Sequence, residues 1–238
     1  MVDDIFEACA KMVRKYDPDR YFSTLFAPAD KRPFLFALYA LNHELAHVGE
    51  SIREPMIGEI RLQWWRETLE GARAGNPRPH DVARAMALTF AKADLPAAWV
   101  EAIIDARSFD LNRGPFADVA PRDAYLDATS GNVMRLASRI LGADHDGLAH
   151  EAGLAYGLAG LLRNQAITGR EILPDVAAAR ADALTHLAKA RRMKKPGASL
   201  PAFLPASLVS LYLPKPQKDV PLHRRQMRLL SSALRGRV

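Results

Sequence analysis

An apolar run, PFLFALYAL from Pro33 to Leu41, passes without a break into a stretch that carries His43, Glu44, His47 and Glu50. The run is far shorter than the ~20 residues a membrane span needs, yet too apolar for a solvated helix. Asp30 suits an N-cap, Pro33 suits a first turn, and Gly49 and Pro55 close the segment. The spacing predicts one buried helix from about Lys31 to Glu50. At 3.6 residues per turn, His43 and His47 share a face, with Glu50 one turn on. Polar groups at the end of a buried helix need partners or a ligand. Whatever this chain folds into must therefore wrap other elements around that helix.

The remaining segments read as those elements. Helices are expected at Asp3 to Lys15, through IRLQWWRETLEG to a stop at Gly71, and at Asp81 to Ala93. Others are expected from Pro96 to Asn112, Asp123 to Leu141, Ala149 to Leu162 and Asp175 to Arg192. No series of Val, Ile and Thr alternations appears, so strands are not expected. Gly131 falls inside the Asp123 to Leu141 segment, where a glycine costs about 1 kcal/mol against alanine. Close packing or a functional break is expected there. AHEAGLAYGLAGLL (Ala149 to Leu162) is lined with small residues, which suits a tight helix crossing or a ligand's approach. With 49% hydrophobic and 25% charged residues, and no clean linker, the expectation is one all-α domain over residues 1–238.

Cys9 is the only cysteine, which excludes an internal disulfide and a cysteine-based zinc site. The N-terminus has early acids and no apolar signal core, and no segment is long enough to span a membrane. A cytoplasmic protein is expected, peripheral at most on the inner (cytoplasmic) membrane. The net charge of +6 is compatible with an anionic surface or a phosphorylated ligand. Without a recognised module it gives no case for nucleic acid. The tail from Pro221, PLHRRQMRLLSSALRGRV, has no acid and five arginines, Arg224, Arg225, Arg228, Arg235 and Arg237. It reads as a basic amphipathic helix for a membrane surface or acidic partner, or as a solvated terminal helix.

His43-Glu44-Leu45-Ala46-His47 also fits the zinc-protease pattern of two histidine ligands one turn apart, with Glu44 as base. Glu67 is the candidate third ligand, and zinc the cofactor that reading requires. No strand is expected ahead of this helix, which is not the context of those proteases. The plain alternative is that both histidines face a polar pocket without metal.

Several stretches together resemble the squalene/phytoene synthase family. They are Tyr21 to Leu41, Arg61 to Gly71, Tyr125 to Gly142, Gly157 to Pro174 and Pro201 to Leu213, in the family's order. The resemblance implies an all-α isoprenoid-synthase fold with a central cavity. It also implies two facing Asp-rich helical motifs that hold Mg²⁺ on a prenyl diphosphate. This chain departs from that pattern where the metal would sit. Counted from Tyr39, the first motif's Asp positions fall on Ala46, His47 and Glu50. In the second motif, Arg163 is followed by Asn164 where an Asp is expected, and no acid precedes Gly169-Arg170. The combination is similar to the family's non-catalytic branch, which includes mitochondrial complex I assembly factor 6 and α-proteobacterial relatives. That similarity implies no catalytic residue and no cofactor, with complex I subunits or assembly intermediates as partners. Tyr39, His43, His47, Glu50, Arg163, Asn164 and Arg170 would line a residual cavity able to take an anion such as a prenyl diphosphate. The alternative is an active prenyl-diphosphate condensing transferase that uses Mg²⁺ with unusual ligands.

Overall fold

The computed structural model describes residues 2–52, 54–112 and 114–238, and among them there is no strand. In chain order the helices are α1 (Val2–Tyr16), α2 (Pro18–Thr24), α3 (Arg32–Ser51), α4 (Pro55–Arg73), α5 (Asp81–Lys92) and α6 (Ala97–Asn112). They continue with α7 (Val119–Leu126), α8 (Asn132–Ile140), α9 (Asp146–Thr168), α10 (Val176–Arg192), α11 (Val209–Tyr212) and α12 (Leu222–Arg235). A π-helical turn, Asp127–Gly131, joins α7 to α8, and two 3₁₀ turns, Gly197–Ala202 and Leu204–Leu208, precede α11.

The expected central helix is α3. Leu35, Leu38, Leu41 and Leu45 are buried on it, and α1, α5, α6 and α8 pack around it. Pro33 sits in its first turn as expected, but Lys31 holds the cap position and no side chain caps it, so Asp30 is not the N-cap. Gly71 likewise does not end α4. The helix runs on to Arg73 and turns at Gly75, whose φ of +81° is left-handed. Directly after Tyr16, the last residue of α1, Asp17 and Pro18 start the short helix α2, which is not among the expected helices. Asp17 caps it by accepting from the Arg20 amide at 3.1 Å.

The segment expected as one helix around Gly131 is three pieces. A Cβ on Gly153 of α9 would lie 2.6 Å from the Gly131 Cα, so two backbones cross here with no room for a side chain. The extra residue of the π turn is accommodated at that crossing. Small residues on α9 therefore serve a helix contact. At Gly157 it is side chains that come close, with Leu126 Cδ2 at 2.7 Å and Ser130 Oγ at 3.0 Å from where a Cβ would stand. The crossing places α7, the π turn and α9 around one end of α3, where a chamber remains.

Candidate functional site

α3, α6, α7, the π turn and α9 surround a cavity of about 470 Å³. On α3 the residues that reach it are Asn42, Ala46, Gly49 and Glu50, a stripe set by four-residue spacing. Gly49 allows α6 to come close, since a Cβ there would lie 2.6 Å from the Cβ of Asp110.

The polar wall is built on α6. Arg107 Nη1 donates to Asp110 Oδ2 at 3.1 Å and to the Tyr125 hydroxyl at 2.9 Å. Arg107 Nη2 donates to Asn42 Oδ1 at 3.3 Å, and the Tyr125 hydroxyl donates to Asp110 Oδ1 at 2.9 Å. Burial works against the Arg107 charge, but Tyr125 and Asp110 outweigh it and hold its pKa above the ordinary value. Burial, with the Asp110 charge, pushes the Tyr125 hydroxyl up to about 12 against the pull of Arg107. Arg20 forms the floor. It is 7% exposed and pairs with Asp17 at 2.6 Å, with the rings of Tyr39 and Tyr156 5.5 and 5.2 Å from its guanidinium. Phe109, Phe116, Leu161 and Ile172 supply the apolar wall. The Nε atoms of Arg107 and Arg170 are buried here without a hydrogen-bond partner among the described residues.

Tyr156 also borders a second cleft, of about 620 Å³, under the C-terminal segment. There Asp19 accepts from the Tyr212 hydroxyl, from Tyr156 at 3.3 Å and from Arg225 at 2.9 Å. Burial raises the Asp19 pKa, with Tyr212 and Arg225 pulling it back.

The residues singled out from the sequence divide between these places. Glu50, Asn164 and Arg170 line the 470 Å³ cavity. Tyr39 is buried beneath Arg20, and burial raises its hydroxyl pKa. His43 turns to α1 instead and stacks on Tyr16 at 4.3 Å; burial lowers its pKa. His47 is exposed and its Nδ1 lies 3.2 Å from Glu50 Oε2. Arg163 reaches the second cleft, where it donates to Asp219 at 3.2 Å and sits 4.4 Å from the Tyr212 ring. One helical step separates Arg163 from Asn164, about 100° of rotation, and this sends them to different chambers.

The zinc ligand set is not assembled. His43 and His47 lie ring to ring at 5.6 Å, and Glu67 accepts from Arg78 at 2.7 Å and from Gln63 at 3.2 Å. No group of three His, Cys, Asp or Glu converges among the described residues. Nor do the cavity donors fit a magnesium cluster. Glu50 and Asp110 are its carboxylates among the described residues, and Asp110 is committed to Arg107 and Tyr125. The Asn164 amide oxygen accepts from Thr168 at 3.2 Å. A hard octahedral cation bridging phosphates needs more free carboxylate than this. On the tail, Arg224, Arg235 and Arg237 are exposed, but Arg225 and Arg228 turn inward, contrary to a tail with five outward arginines.

Arg20, Asn42, Arg107, Asp110 and Tyr156 escaped the sequence reading. An Arg–Asp pair one turn apart flanking Phe109 was the available signal on α6, and Tyr156 is the one large polar side chain within Ala152 to Leu162.

The chain is 32% identical over 160 residues to human "NADH dehydrogenase (ubiquinone) complex I, assembly factor 6", covering 65% of this chain and 47% of that protein. It is 28% identical over 248 residues to the mouse protein of the same name, covering 88% and 73%. It is also 25% identical over 143 residues to a 15-cis-phytoene synthase of Synechocystis, covering 60% and 42%. The chain thus spans about half the length of the human relative. Among solved structures, a dehydrosqualene synthase in complex with ligand superposes with a TM-score of 0.76 over 98% of both chains at 15% identity, which shows a shared fold. The squalene/phytoene synthase model matches residues 13–171, and with that match the chain belongs to the squalene/phytoene synthase family.

Proposed function

We propose that this chain is a non-catalytic member of its family that serves the assembly of respiratory complex I, with complex I subunits or assembly intermediates as partners. Its cavity would hold a phosphorylated amphiphile such as a prenyl diphosphate without turning it over. The observation that carries this reading is that Ala46 on α3 and Asn164 on α9 line one chamber, at positions where the catalytic pattern places carboxylates. Ionising an allylic diphosphate requires metal-borne neutralisation of the leaving group, and of the two cavity carboxylates Asp110 is held by Arg107 and Tyr125 while Glu50 lies 3.2 Å from His47. What the chamber does offer is cations. Arg107 and Arg170 line it together with the aromatic side chains of Phe109 and Phe116. The names of the human and mouse relatives support the assembly role.

The test pairs binding with turnover. Farnesyl diphosphate titrated calorimetrically without metal should bind, and Arg170→Gln should weaken it by about tenfold, the loss of one charge-assisted contact. Pyrophosphate release with Mg²⁺ should stay at the rate of a protein-free blank. Sustained release above that rate would overturn the non-catalytic reading in favour of an active condensing transferase.

A further inference from the structure

We infer that α12 and the groove beside it form a docking surface for an anionic lipid bilayer. The inward side of α12 is settled. Leu229 and Ser232 are buried, Arg225 pairs with Asp19, and Arg228 donates to the Ser207 carbonyl at 3.0 Å and the Ser210 hydroxyl at 2.8 Å. The outward side is amphipathic in its own right. Met227, Leu230 and Leu234 stand at i, i+3 and i+7, which puts them on one stripe, and they are 63%, 42% and 80% exposed. Arg224 and Arg235, three turns apart, share the neighbouring stripe and are exposed. Leu230 and Leu234 also wall a groove of about 570 Å³ with Phe26, Pro28 and Pro201, and Phe26 is itself 40% exposed.

Charge selects the occupant. From Leu222 to Val238 there is no acid. Arg191 donates to the Val238 carbonyl at 3.2 Å, and its pKa is lowered by burial and by Arg228 and Arg235 beside it. Lys195 lies against Gly236, and Arg237 is exposed. Asp30, two residues past Pro28, is the acid nearest the groove in the chain. A second copy of this face would bring the same cations together and be repelled. Anionic headgroups above an acyl boundary satisfy both stripes, with guanidinium groups at the phosphates and Met227, Leu230 and Leu234 below them.

The test is co-flotation of the full chain with vesicles of phosphatidylcholine alone, or with 30% anionic lipid added, at rising salt. Binding should require the anionic lipid and weaken as salt rises. Removing Arg224, Arg235 and Arg237 together as glutamines should weaken it by about a hundredfold, at about fivefold per arginine. Met227→Ser with Leu234→Ser should lower it as well. A control with the same charge change on other helices, Lys11→Gln, Arg84→Gln and Lys92→Gln, should bind as the parent does. All these positions are exposed, so the fold is not at risk. Equal binding to neutral vesicles, an equal loss in the control, or a stable dimer that ignores vesicles would each overturn the assignment.

Discussion

Gly153 and Gly160 lie two turns apart on α9, and the same change at each should move stability in opposite directions. A Cβ at position 153 would lie 2.6 Å from the Cα and 2.7 Å from the N of Gly131. Those atoms are backbone of a π turn held from both sides by α7 and α8, so they cannot rotate away as a side-chain tip would. Overpacking of this kind costs about 1–3 kcal/mol. Rigid backbone on the far side puts Gly153→Ala at the upper end, about 3 kcal/mol. Alanine's better helix propensity returns about 1 kcal/mol, leaving a net loss of about 2 kcal/mol. At about 2–4 °C per kcal/mol for a chain this size, the melting temperature should fall by about 4–8 °C. A Cβ at Gly160 meets nothing within 4 Å, so Gly160→Ala keeps only the propensity gain and should raise it by about 2–4 °C. Calorimetric melts of the parent and both variants settle the matter. If Gly153→Ala melts at or above the parent, or both variants shift the same way, the account of the α9 crossing is wrong.

Other consequences follow from the buried charges and the buried thiol. Arg107→Met leaves Asp110 and Tyr125 without their shared cation and should cost about 3 kcal/mol in urea unfolding; adding Asp110→Asn should restore part of it, because the stranded carboxylate is gone. Cys9 is fully buried and its thiol is pushed from 9.0 up to about 12, chiefly by burial. The unfolded chain therefore loses that proton first, so the group's contribution is intact below pH 9 and is lost as pH rises from about 9 to about 12. The slope is about 1.4 kcal/mol per pH unit for one proton, and Cys9→Ala should remove that part of the alkaline slope. A thiol reagent at neutral pH should label the native chain only as fast as it unfolds; rapid stoichiometric labelling would contradict the burial. Chelator treatment should leave the melting temperature unchanged, because neither His43 and His47 with Glu67 nor the cavity carboxylates form a metal-binding set.

The fold was legible where burial and periodicity agree. α3 begins within a residue or so of its expected position because Leu35, Leu38, Leu41 and Leu45 repeat at helical spacing. α2 was hidden because its signals, the capping Asp17 and the first-turn Pro18, open a helix of only seven residues with no apolar periodicity to extend them. The three-piece segment around Gly131 was half legible. A mid-helix glycine announces a close approach, but which partner approaches is a tertiary fact, supplied by Gly153 more than twenty residues away. The site divides by rotation about helix axes. Positions 46 and 50 of α3 reach the chamber and 47 does not, so a motif counted along the chain mixes two faces. Arg107 and Asp110 stayed out of view because a charged pair on a helix most often faces solvent, and only the close approach at Gly49 buries this one.

The central claim is tested most directly by assembled complex I on native gels after deletion of the gene in its own host. The account predicts that assembled complex falls and returns when the wild-type chain is restored, and that it also returns with Glu50→Gln, since no metal chemistry is required of that carboxylate. Complex I at parental levels in the deletion strain, or rescue that fails with Glu50→Gln although that variant is folded and present, would contradict it.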